Sequence, residues 1–114
     1  MNFSKLLHNR ALFEALAARA RGLHAGVRSG AMFGCPALYC GKKLAGCVYG
    51  DRIALKLPRH IADEARESGR AGHFTPYGRP PMREWIEIAV EPANIVALDD
   101  LIATALDFAE RNNI

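Results

Sequence analysis

No apolar run in this 114-residue sequence approaches the ~20 residues a helix needs to cross a bilayer. The first 21 residues scatter arginines through a helical pattern and have no apolar block followed by a small-residue cleavage site, so no secretory signal is expected. Cysteine is scarce: Cys35, Cys40 and Cys47 are odd in number and have no C-x-x-C spacing, so neither a disulfide framework nor a zinc site is indicated. The expectation is a protein of the cytoplasm. His8, His24, His60 and His73 form no H-x-x-x-H pair, so a metal site would need ligands gathered from distant segments. Gly34, Gly41, Gly46 and Gly50 make neither a Walker A loop nor a dinucleotide fingerprint, since no Gly-Lys-Ser/Thr opens a helix. No cysteine or serine stands in a recognisable relation to a histidine and an orienting acid. The reading is therefore no catalytic residue, no cofactor and no metal.

What the chain does have is the composition of one folded domain covering residues 1–114. Half of its residues are hydrophobic, and a chain of this length buries roughly two-thirds of its unfolded surface. The net charge of +3 hides an asymmetry. Residues 1–83 hold 14 Lys/Arg against 5 Asp/Glu, whereas residues 84–114 hold 1 against 7. Such a split can face nucleic acid, can join a basic patch on one subunit to an acidic helix on another, or can simply be solvated.

Residues 3–24 read as an amphipathic helix with Leu6, Phe13, Leu16, Ala20 and Leu23 on one stripe. Arg28-Ser29-Gly30 reads as a polar entry into the first strand. Residues 33–40 and 44–49 are two apolar runs around the hairpin punctuation Gly41-Lys42-Lys43. Gly50-Asp51 turns the chain into residues 52–57, whose alternation marks a half-buried strand. Pro58 opens a short helix with Ile61, Ala62 and Ala65 inward and Gly69 as its stop. Residues 70–82 are loop-rich, anchored by Phe74 and Tyr77 around a short fourth strand. Residues 84–91 alternate as a fifth strand, with Ile86, Ile88 and Val90 opposite Trp85, Glu87 and Glu91. A last helix spans about 98–111. The expected fold is α+β: a two-layer sandwich of order α-β-β-β-α-β-β-α, with a five-stranded antiparallel sheet and its helices on one face.

Several of these residues carry a resemblance. Met32-Phe33-Gly34 after a helix, the Gly-containing hairpin, Gly50-Asp51 leading to Lys56-Leu57, His73-Phe74, Gly78-Arg79-Pro80 and Met82-Arg83-Glu84-Trp85 occur in the order and spacing of the TfoX/Sxy N-terminal-domain family. That family takes its name from bacterial regulators of natural competence, and the resemblance covers about residues 30–112. It implies a two-layer α/β fold and a role in transcriptional or competence regulation, and it supplies no catalytic residue.

Arg70, Tyr77, Arg79, Arg83 and Trp85 are the group most like a functional surface. Arginine mixed with exposed aromatics suits a protein interface or a single-stranded nucleic-acid platform. The alternative for Trp85 is packing under the Pro80-Pro81 loop. Three function classes follow: a non-enzymatic protein-interaction module able to form a homodimer, a direct nucleic-acid binder, and a cysteine-dependent enzyme using Cys35, Cys40 or Cys47. Depending on register, Cys47 shares a sheet face with Cys35 or with Cys40.

Overall fold

The computed structural model describes residues 7–32 and 34–112. Asn9 caps the first helix, α1 (Arg10–Leu23), by accepting the Leu12 N–H on its side-chain oxygen at 2.9 Å. That cap sets the start later than the apolar spacing suggests; residues 7–9 are not helical, and the expected Leu6 lies outside the described residues. Leu12, Phe13, Leu16, Ala17 and Ala20 form the buried stripe, while Leu23 is partly exposed at the helix end.

The sheet follows: β1 (Val27–Met32), β2 (Cys35–Cys40), β3 (Lys43–Tyr49) and β4 (Arg52–Lys56), then α2 (Arg59–Glu67), β5 (Gly72–His73), a 3-10 turn (Pro76–Gly78), β6 (Trp85–Ala89), a 3-10 stretch (Pro92–Leu98) and α3 (Asp99–Arg111). The strands lie in the order β1-β2-β3-β4-β6-β5, every neighbouring pair antiparallel. The class is the expected one, with six strands in place of five. The additional strand is β1. Its Arg28-Ser29-Gly30 segment is not an entry but the middle of the strand, paired with Tyr39, Leu38 and Ala37. The single apolar run expected from residue 33 is broken by a turn at Gly34, and Phe33 lies outside the described residues. Gly34 takes φ +77° with nothing near its would-be Cβ, so it serves the turn rather than a close approach. The close approach is at Gly46, where a Cβ would stand 2.6 Å from the Ala54 carbonyl oxygen.

The main core lies between the helices and one sheet face. Leu38, Val48, Ile53, Leu55, Ile86 and Ile88 meet the stripes of α1, α2 and α3 there. A smaller core covers the opposite face, with Cys35, Ala37, Cys47 and Ala54 beneath Phe74 and Trp85. This second cluster covers Ala54 of β4 and Trp85 of β6, whereas Arg52 and Ala89 on the same face stay exposed, as the half-buried alternation of β4 suggests. Among the described residues, no helix is long and apolar enough to cross a membrane.

Candidate interaction surface

The segment from Phe74 to Trp85 closes the second sheet face, and it sorts the five residues expected to make a surface. Phe74 packs against Trp85 with ring centroids 5.3 Å apart. Trp85 is only 7% exposed, so the expectation of an exposed indole fails: alternation placed it on the correct side, but that side is roofed by its own loop. Arg70 is committed as well. Its guanidinium forks onto both Asp100 oxygens at 2.8 and 2.7 Å and donates to the Ala97 carbonyl at 3.1 Å, tying the post-α2 loop to the start of α3. The pair pulls Asp100 below the usual carboxylate range, chiefly through that hydrogen bond.

Tyr77, Arg79 and Arg83 remain at the surface. Tyr77 is 53% exposed and sits at φ +53°, ψ +33°, a conformation that costs a non-glycine residue energy. Its N–H donates to the Tyr49 hydroxyl at 2.8 Å, and the two rings meet edge-on at 5.1 Å. Arg66 fixes the return into β6 by donating to the carbonyls of Trp85 (2.8 Å) and Arg83 (3.2 Å). The loop is thus pinned at both ends and presents one aromatic ring and two guanidinium groups.

The sheet edges differ in a way the sequence did not signal. At the β6 side, β5 pairs Gly72 with Glu87 and His73 with Ile86, and Arg66 occupies the Trp85 carbonyl. At the other side β1 is outermost, and Arg28, Ser29, Gly30 and Ala31 are all exposed. The one charge in this strand is turned inward: Arg28 donates to the Gly41 carbonyl at 2.7 and 3.2 Å, with its guanidinium 5.5 Å from the Tyr39 ring centre. Tyr39 in turn donates to the Ala31 carbonyl at 2.9 Å, opposite Pro36, which has no N–H to offer.

Part of the charge asymmetry is answered within the chain. Arg19 bonds Asp99, Arg70 bonds Asp100 and Arg52 faces Glu87 at 3.5 Å, each pairing the basic part of the sequence with its acidic end.

All three cysteines are buried thiols. Register decides their neighbours: Ala37 pairs with Cys47, so Cys47 shares the second face with Cys35, whereas Cys40 faces the helices. Burial raises the pKa of each, that of Cys47 to about 12, which disfavours the thiolate that nucleophilic chemistry needs. Cys35 Sγ lies 3.6 Å from His8 Nε2 and 3.8 Å from the Tyr77 hydroxyl, while the Gly50 N–H donates to His8 Nδ1 at 2.9 Å. His24, Cys40 and Glu110 converge where α1, β2 and α3 end, a grouping that chain spacing does not reveal. No protein-family model, curated protein or solved structure matches this chain.

Proposed function

We propose that this chain is a non-enzymatic interaction module that binds protein by adding an extended segment of its partner to the outer edge of β1. The observation that carries this reading is the contrast between the two sheet edges. A six-residue strand at the sheet margin, exposed at its four central positions and without proline, is a template for further pairing. Such edges are normally guarded by an outward charge, a bulge or a covering element. Here the strand's one charge is folded back onto Gly41 and Tyr39. Main-chain hydrogen bonds would supply affinity, and the pinned Tyr77-Arg79-Arg83 loop is a further patch on the same molecule.

A second copy of the chain satisfies the requirement most simply, because an antiparallel strand can pair with itself. The resemblance to the TfoX/Sxy N-terminal domains adds transcriptional or competence regulation as the setting, and three buried cysteine thiols suit the reducing cytoplasm. Direct nucleic-acid binding is the second reading. It draws on Arg28, Lys42 and Lys43 near the same end of the sheet, and it loses some weight because Arg19, Arg70 and Arg52 are spent on Asp99, Asp100 and Glu87.

The test is a paired substitution, Ser29→Lys with Ala31→Lys, which guards the edge at two exposed positions. Partner capture or self-association by the natural sequence should persist at raised salt and disappear in the variant, with the circular dichroism unchanged. Undiminished association in the folded variant would remove the edge from the account. Nucleic-acid binding that collapses with salt would favour the second reading instead.

A further inference from the structure

We propose that His24, Cys40 and Glu110 form a binding site for a divalent transition metal of the zinc type, with one coordination position open to solvent. The three side chains come from the ends of three elements. His24 closes α1 in an extended conformation (φ −155°, ψ 132°), Cys40 ends β2 opposite Val27, and Glu110 lies in the last turn of α3. Their ligand atoms all lie within 4.8 Å of one another. Cys40 Sγ is 3.5 Å from Nδ1 and 3.9 Å from Nε2 of His24, and Nε2 is in direct contact with the Glu110 carboxylate. A tetrahedral ion with bonds of about 2.3 Å to sulfur and about 2.0–2.1 Å to nitrogen sets those two atoms about 3.6 Å apart. The two Cys40–His24 separations bracket that value, while the Glu110 carboxylate, in contact with Nε2 in the metal-free chain, has to draw back to admit an ion between them.

The surroundings fit the same purpose. Gly26 lets the imidazole lie over the thiol: a Cβ there would stand 3.2 Å from His24 Cε1 and 3.8 Å from Cys40 Sγ. Cys40 is buried, His24 half-buried and Glu110 exposed, which leaves an entry path on the carboxylate side. Thiolate plus imidazole selects zinc, cobalt or nickel over magnesium or calcium.

The proton inventory follows from the ring contacts. Without metal, the Gly26 N–H donates to Nδ1 at 2.9 Å, so Nε2 carries the ring proton and directs it at Glu110. A metal on Nε2 moves that proton to Nδ1, which changes from acceptor to donor and gives up the Gly26 N–H. The Cys40 thiol proton leaves to solvent. One proton is therefore released per ion bound, and the Gly26 amide loses its acceptor.

This inference is independent of the docking role proposed for β1 and survives its failure. The purified full chain would be titrated with Co²⁺ alone and then with Zn²⁺ in competition. The expected result is binding of one ion per chain with a thiolate-to-cobalt charge-transfer band, release of one proton and a shift of the Gly26 amide resonance. Cys40→Ala should abolish the band. Glu110→Gln removes an exposed carboxylate without disturbing the core, and it should weaken affinity by at least the ~10–100-fold that even outer-sphere partners cost. Absence of the band in the natural sequence, or affinity unchanged in folded Glu110→Gln, would overturn the proposal.

Discussion

Gly46→Ala puts the packing of the sheet under a direct test. The new methyl would stand 2.6 Å from the Ala54 carbonyl oxygen and 2.9 Å from Leu55 Cδ2. A side-chain tip can rotate away, but a backbone oxygen held in the β3–β4 pairing moves only if the strands part. Overpacking of this kind costs about 1–3 kcal/mol. Removing glycine from the unfolded chain returns about 0.4–1 kcal/mol, leaving a net loss of about 1–2 kcal/mol. For a domain of this size that lowers the thermal midpoint by about 4–8 °C. Gly22→Ala is the matched control. It lies in α1 with nothing within 4 Å of the would-be Cβ, so the same change there should stabilise by about 0.5–1 kcal/mol. Thermal unfolding followed by far-ultraviolet circular dichroism measures both. Equal midpoints for the two variants, or a stabilised Gly46→Ala, would refute the claim that β3 and β4 are in contact across that glycine.

Three further outcomes are expected. Arg19 and Arg70 hold Asp99 and Asp100 below the ordinary carboxylate range, so the stability these pairs give is complete above pH ~3.9 and is lost as pH falls from there through the folded values; Asp99→Asn with Asp100→Asn should flatten the fall in thermal midpoint below about pH 4, and an unchanged slope would count against the pairs. Native Cys47, with its pKa pushed up to about 12, should alkylate far more slowly at pH 8 than in denaturant, whereas equal rates would contradict its burial. Phe74→Ala should cost about 3–5 kcal/mol and shift Trp85 emission toward that of a solvated indole, and an unmoved spectrum would show that Phe74 does not shield the indole.

Much of this architecture was legible because burial and turn chemistry left marks on the sequence. Gly41 and Gly50 adopt positive φ at the two hairpins expected from them, and Pro58 and Gly69 bracket α2 as their chemistry suggests. β1 was not legible as a strand for a physical reason. Its central residues are exposed on both sides, so no apolar alternation was imposed on Arg28, Ser29, Gly30 and Ala31. Trp85 shows the converse limit: period 2 fixed its side of the sheet, while its burial depends on Phe74, which reaches it only through the folded loop. The charge split between the two ends of the chain became interpretable only once α3 lay beside α1 and the loop after α2. The grouping of His24, Cys40 and Glu110 likewise arises from where three elements end, which no local motif encodes.

Hydrogen–deuterium exchange across residues 27–32, in the free chain and in its complex, tests the docking role most directly. Fast exchange of the outward β1 amides in the free chain, with protection on association concentrated in that strand, is the predicted result. Protection confined to other elements, with residues 27–32 exchanging as they do in the free chain, would contradict it.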